Sequence, residues 1–288
     1  PSIPTCFLDV LVTWGCVWMW ESLTLEGGNH WLEASIAAGS CTAVTDGSYI
    51  REIYPNLCSA AFILECAEGR GRIVGSFAEQ SSAAGSYRGE LLGLMAIHLI
   101  LVATAKVAPM LVGTITIYSD CRGALEKVSS LPANRIPSRC KHSDILKNIM
   151  INCRELSFTC IYKHIRAHQD EHLDYCRLIR PAQLNCQCDY KAKSAIWDRI
   201  GAPLPAQEAF PLEPVAVFVG QEKMTSDTGD RIRYWAHRAL AKQLFYDRHI
   251  LSPRQFEEIA WEQVSGALHS VPRMFQVWAC KQVWEIAG

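Results

Sequence analysis

The sequence predicts an α/β fold: a mixed sheet with helices on its faces, followed by a helical C-terminal region. Three observations predict it. Apolar segments between residues 41 and 77 are separated by glycine-rich turns, as in an antiparallel meander. Between residues 114 and 165, strand-like and helix-like segments alternate, the pattern that joins parallel strands through helices. Beyond residue 205, helical periodicity dominates, apart from a short hairpin signal at Val215–Gly220.

Taken in order, Trp31–Ala38 reads as a short helix stopped by Gly39. Cys41-Thr-Ala-Val-Thr-Asp46-Gly-Ser is a strand running into a turn, and Ser59–Cys66 and Gly71–Phe77 are two more strands. Ala67-Glu-Gly-Arg-Gly supplies the reversal between those two. Ser86–Ala105 carries the helical period through Leu91, Leu94, Met95 and Ile97–Leu99, with Glu90 in its first turn. Thr114–Asp120 alternates as a strand, and a helix starts directly off its end at Cys121. A helix over Ser143–Arg154 takes Ser143 as its N-cap. A strand over 157–165 follows, then a polar loop holding His168, then a helix over 183–197. Gly201–Ala206 reads as a linker. Three helices are expected near 231–249, 253–269 and 272–286. The second is opened by Ser252-Pro253-Arg-Gln255, with an N-cap, a first-turn proline and a Gln at N3.

Composition bounds the function. The chain has 288 residues, enough to bury a substantial core, and 49% of them are hydrophobic, which excludes a disordered or fibrous protein. Its 28 basic and 29 acidic side chains give a net charge of −1, which argues against holding nucleic acid by bulk charge but leaves room for a local basic groove. The Trp-rich apolar run Cys6–Trp20 is too short to span a bilayer, and no basic residue precedes it, so it reads as a buried or partner-covered segment and no membrane partner is expected. The thirteen cysteines form no regular frame and no C-x-x-C, which points to a reducing intracellular compartment, cytoplasm or nucleus, where they act as small apolar residues. A start at Pro1 points to a piece of a longer chain.

Four carboxylates stand at informative places. Asp46 ends the first meander strand in Thr45-Asp46-Gly47-Ser48, and Glu90 opens the long helix in Arg88-Gly89-Glu90-Leu91-Leu92. Asp120 ends the parallel strand in Tyr118-Ser119-Asp120, and Asp189 lies in the helix after the His168 loop, just ahead of Lys191-Ala192-Lys193. Singly, each has a structural explanation: a turn, an answer to the helix dipole, a solvated helix face. Together, in this order and with His168-Gln-Asp170 in the loop, they resemble the ribonuclease H family over about Thr42 to Trp197. The flavour is that of a ribonuclease H domain in a retrotransposon polyprotein, where the domain follows a reverse transcriptase.

The resemblance implies a ribonuclease H-like five-stranded mixed sheet at 40–200, an N-terminal connector at 1–39 and a mostly helical region of unassigned role at 205–288. It implies an endonuclease that hydrolyses the RNA strand of RNA·DNA hybrids with two Mg²⁺ ions, Mn²⁺ being a substitute, and leaves a 3′-hydroxyl and a 5′-phosphate. Hard oxygen ligands suit Mg²⁺, and two divalent ions serve in-line phosphodiester hydrolysis. Asp46 would bridge both ions, Glu90 and Asp120 would complete one site and Asp189 the other, and His168 would assist proton transfer or product departure. Gly47 and Ser48 would meet the RNA strand, and Ser86 and Arg88 the nucleic-acid backbone. The expected partners are the hybrid and an upstream reverse transcriptase domain.

Two departures from the family pattern stand out. The stretch between His168 and Asp189 is long, with an insertion-like Glu171–Pro181, which leaves His164 and His172 as alternatives to His168. The basic arm of cellular members is reduced to Arg135, Arg139, Lys141 and Lys147, which predicts weak, salt-dependent hybrid binding by the isolated chain. Three competing readings are a catalytically silent binding or connector module on the same fold, an integrase- or transposase-like nuclease, and a zinc site from Cys153, Cys160, His164 and His168, whose spacing fits no standard finger.

Overall fold

The computed structural model describes residues 4–28, 30–130, 136–137 and 139–283; Arg135 lies outside them. Its centre is a six-stranded mixed sheet: β1 (Thr24–Gly27), β2 (Cys41–Ser48), β3 (Leu57–Cys66), β4 (Gly71–Gln80), β5 (Thr114–Ser119) and β6 (Thr159–His164) in the order β1-β4-β3-β2-β5-β6. β1 through β4 pair antiparallel, while β2, β5 and β6 run parallel. The expected mixed sheet is present, with six strands rather than five. The added edge strand, β1, comes from the stretch expected to be a connector.

Helices cover both faces. On one side α3 (Ser86–Val107) crosses β2 and β3, flanked by α1 (Phe7–Thr13) and α5 (Ser143–Cys153). α3 is long and apolar enough to cross a membrane by length and composition, yet it is the core helix, buried along most of its length. Its burial on nearly every side explains the absence of a polar stripe. On the other side α6 (Arg180–Trp197) lays Leu184, Cys188 and Ala192, at i, i+4 and i+8, against Val44, Ala61, Ile63 and Val74. α4 (Arg122–Ser130) and α2 (Trp31–Ala37) complete the packing, and Gly39 leaves α2 at φ 67°. Twelve described cysteines are free, and Cys16, Cys41, Cys58, Cys66 and Cys188 are buried.

The chain divides into two compact units, Pro1–Gly229 and Asp230–Gly288. Two expected boundaries therefore shift. Residues 1–39 belong to the first unit, because Phe7, Leu11, Met19, Trp31 and Ile36 enter its core. The stretch after Gly201 belongs there too, up to a hairpin of β7 (Phe218–Val219) and β8 (Glu222–Lys223), with Phe210 buried. The second unit is helical: most of α7 (Thr228–Asp247), then α8 (Pro253–Glu258), α9 (Trp261–His269) and α10 (Arg273–Val283). The single helix expected over 253–269 is two, because the chain extends at Ile259 with ψ 128°. Ser252 Oγ accepts from Gln255 N at 3.3 Å and Gln255 Oε1 accepts from Ser252 N at 2.9 Å, so the expected capping box is formed. Ser143 is not a cap: His142 holds that position in the left-handed region, and Ser143 Oγ donates to the Thr225 carbonyl at 3.3 Å.

A candidate metal centre of three carboxylates

The site forms where β2 and β5 end side by side. Parallel neighbours bring their carboxyl ends together, the usual place for a ligand in α/β sheets. Along β2, Cys41, Ala43 and Thr45 face α3, while Val44 and Asp46 face α6. Gly47 returns to the α3 face. A Cβ there would overlap the backbone of Gly89 and Glu90, and one on Gly89 would overlap the Ser59 carbonyl. The two glycines let the first turn of α3 cross β2 backbone against backbone, which carries the Glu90 carboxylate past the strand to Asp46.

Asp46, Glu90 and Asp120 converge so that one carboxylate oxygen from each lies within 4.8 Å of the others. Asp46 is 5% exposed and Glu90 7%. The Gly47 N–H donates to Asp46 Oδ1 at 2.7 Å and to Glu90 Oε1 at 3.1 Å. Ser119 Oγ donates to Glu90 Oε2 at 3.3 Å and accepts from Cys121 N at 3.0 Å. The Asn185 side chain bonds Asp120 from α6, and the buried Asn185 Oδ1 has no protein partner. His164 Nε2 donates to the Asp120 carbonyl at 3.0 Å, which gives this histidine a structural contact at the strand end.

The electrostatics is that of anions gathered without a counterion. Burial first, then the charges of Asp120 and Asp189, push the Asp46 carboxyl up to about 7. Burial and the charges of Asp46 and Asp120 hold Glu90 well above the usual carboxylate range. Asp120 is also raised, mainly by burial, although Asn185 and His168 oppose the shift. Three crowded carboxyls of raised pKa, all hard oxygen donors, with an unpartnered amide oxygen nearby, fit a hard divalent cation.

Asp189 stands apart from the three. It is on α6, four residues beyond Asn185, and its charge is felt by Asp46 and Asp120, but Oδ2 pairs with Lys193 Nζ at 2.7 Å. His168 is exposed at the loop, in the left-handed region at φ 50°, with Nδ1 3.8 Å from Glu171 Oε1. His172 is exposed. Ser86 is exposed at the start of α3, and Ser48 is buried, its carbonyl accepting from Ser59 Oγ at 3.5 Å.

Arg88 requires a correction. Expected to reach nucleic-acid backbone, it is fully buried. Its Nε and Nη2 each lie 2.6 Å from Glu79, and Nη2 and Nη1 lie 2.9 and 3.2 Å from Asp144. A guanidinium held in that double fork is structural. The zinc reading also fails: among the described residues the one group of three or more metal-ligating side chains is the acidic one. Cys153 turns instead to the Tyr162 hydroxyl at 3.7 Å, and His164 to Asp120. Asn185 and Ser119 were not anticipated. The signal for Asn185 was its i, i+4 spacing to Asp189, and that for Ser119 its place beside Asp120.

No protein-family model and no curated relative matches the chain. Solved structures similar to it include the N-terminal RNase H domain of rv2228c from Mycobacterium tuberculosis, fused to maltose-binding protein, at 13% identity and TM-score 0.36, covering 56% of this chain and 96% of that one. A second is LC11-RNase H1 isolated from compost, at 12% identity and TM-score 0.37, covering 56% of this chain and 99% of that one. A third is the protease-reverse transcriptase of prototype foamy virus, at 12% identity and TM-score 0.39, covering 56% of this chain and 21% of that one.

Proposed function

We propose that this chain is a divalent-metal-dependent endonuclease that hydrolyses the RNA strand of RNA·DNA hybrids. The observation that carries the reading is the convergence of Asp46, Glu90 and Asp120 at the carboxyl ends of β2 and β5, in the motif contexts that resemble the ribonuclease H family. Asp46, Glu90 and Asp120 would hold the first ion, and Asp46 with Asp189 a second. Two Mg²⁺ ions supply an activated water and charge stabilisation for an in-line phosphodiester displacement. The chain's own groups do the rest. The Gly47 N–H holds the Asp46 and Glu90 carboxylates and Asn185 orients Asp120, while Asp189, paired with Lys193 here, would have to turn toward the centre to reach a second ion. His168, exposed on its loop, would assist proton transfer or product departure. The substrate is read by backbone and 2′-hydroxyl rather than base sequence, with Ser86 and the Gly47–Ser48 backbone as contacts. An upstream reverse transcriptase domain in a retroelement polyprotein would add affinity that a chain of net charge −1 lacks.

Asp46→Asn or Asp120→Asn removes a ligand whose ion supplies several kcal/mol. Each is expected to lower hybrid cleavage about a thousandfold or more while circular dichroism stays unchanged. Full cleavage by both variants overturns the site. His168→Ala is expected to be slower by about a hundredfold but not silent; an unchanged rate would transfer the role to another group.

A further inference from the structure

We propose that Cys41 and Cys66 form a peroxide-sensitive dithiol that closes into a cross-strand disulfide between β2 and β3. The two residues face each other directly in the antiparallel register, and both side chains enter the α3-side core. The Ala67 N–H donates to the Ser40 carbonyl at 3.0 Å. That bond flanks the pair from outside, so Cys41 and Cys66 occupy a non-hydrogen-bonded site. Opposed Cα atoms there lie about 4.5 Å apart, inside the roughly 4.4–6.8 Å range that a disulfide spans.

No neighbouring strand offers Cys41 a rival. Cys160 is level with it, but Ile115 of β5 stands between them. Two strand spacings of about 4.8 Å put that pair beyond the roughly 7 Å limit for bridging.

The two thiols have different roles. Cys66 has a buried side chain, and the residue borders an open groove of about 330 Å³ at the β3–β4 turn that Glu65, Arg70 and Arg180 also line. Burial pushes its thiol up, but bonds from the Glu68 backbone, the Arg70 side chain and the Ser40 hydroxyl outweigh this, and the thiol titrates below its ordinary value. Ser40 Oγ is 3.7 Å from its sulfur. Cys41 is driven the other way, up to about 12, chiefly by burial. Cys66 is therefore the attacking thiolate and Cys41 the resolving thiol. Cys66 sulfur attacks one oxygen of hydrogen peroxide, the O–O bond breaks, and hydroxide leaves, giving Cys66 sulfenic acid. That hydroxide takes the Cys41 proton as water. The Cys41 sulfur then attacks the Cys66 sulfur, the S–O bond breaks, and the second hydroxide leaves and is protonated to water. Two thiols lose two electrons and one peroxide becomes two waters.

The test uses the reduced full-length chain. It is exposed to hydrogen peroxide, its remaining thiols are blocked with N-ethylmaleimide, and its peptides are mapped by mass spectrometry. The expected product is a Cys41–Cys66 cross-linked peptide two hydrogens lighter than the sum of its parts, with the loss of two alkylatable thiols that dithiothreitol restores. Cys41→Ser is expected to leave Cys66 as a sulfenic acid trapped by dimedone. Recovery of Cys41 and Cys66 as maleimide adducts after the exposed Cys176 has oxidised, or Cys66 joined to a different cysteine, overturns the proposal.

Discussion

Asp46 is held in surroundings that disfavour its charge. Burial and two neighbouring carboxylates raise it to about 7, so the folded protein binds a proton that the unfolded chain releases near pH 3.9. The stability this proton gives is full below the unfolded value and is lost as pH rises through the folded one. Metal-free protein in EDTA is therefore expected to melt at lower temperature as pH goes from 4 toward 7 and above, and Mg²⁺ at neutral pH is expected to reverse the loss. Asp46→Asn is expected to flatten the profile and to raise the neutral-pH melting temperature of the metal-free protein. A variant with the wild-type slope contradicts this account. Gly47 sets the second residue-scale expectation. Because its Cβ would overlap the Gly89 and Glu90 backbone, Gly47→Ala is expected to destabilise by about 1–3 kcal/mol, measured by urea titration, and to weaken Mg²⁺ binding by displacing Glu90. Asp46, Glu90 and Asp120 were legible in the sequence because a strand end and a first helical turn are local positions with local signatures. The carboxylate of Asp189 turned toward Lys193 was not, since side-chain pairing along a helix is decided by rotamer. Nor was the burial of Arg88, whose partners Glu79 and Asp144 are brought to it by the tertiary fold.

At the scale of elements, a buried ionic network joins α3, β4, α5 and the strand pair β7–β8. Arg88 is forked between Glu79 and Asp144, and Lys223 Nζ lies 2.6 Å from Glu213, 3.7 Å from Asp144 and 3.3 Å above the Phe210 ring. Removing one partner of such a network leaves a buried charge uncompensated, at about 3–5 kcal/mol. Lys223→Ala is expected to cost that much in denaturant titration, whereas Arg51→Ala in the exposed turn between β2 and β3 is expected to stay within about 0.5 kcal/mol. Equal effects would mean that the hairpin is not anchored. The hairpin itself was read from Val215–Gly220, but its attachment to the sheet unit was not, because nothing in a polar, proline-rich stretch announces a buried lysine. β1 escaped for a related reason. Its four residues, Thr24–Gly27, are mostly exposed on an edge strand and carry little of the alternation that marks β2 or β5. Long elements with one strong period, such as α3 and α6, were found to within a few residues at their ends.

For the whole molecule, the compact unit is larger than the motif-bearing stretch. Phe7, Leu11, Trp31 and Phe210 all bury against the sheet side of Pro1–Gly229. A fragment of residues 1–229 is expected to unfold cooperatively like the sheet unit of the full chain. A 40–200 fragment is expected to aggregate or melt far lower, because its core loses those side chains to solvent. A soluble, fully cooperative 40–200 fragment would contradict that view. The antiparallel meander, the parallel pair and the α3 crossing were all legible as pattern. The contribution of residues 1–39 was not, since a Trp-rich run can pack on its own chain or on another.

The metal-centre reading stands or falls on cleavage of an end-labelled RNA·DNA hybrid by the full chain, run beside single-stranded RNA and duplex DNA, with Mg²⁺, Mn²⁺ or EDTA. Cuts confined to the RNA of the hybrid, present with either ion, absent with EDTA and lost in Asp46→Asn, are the predicted result. Cleavage that persists in EDTA, or a folded protein that binds Mg²⁺ and leaves the hybrid intact even when a reverse transcriptase domain is supplied, contradicts it.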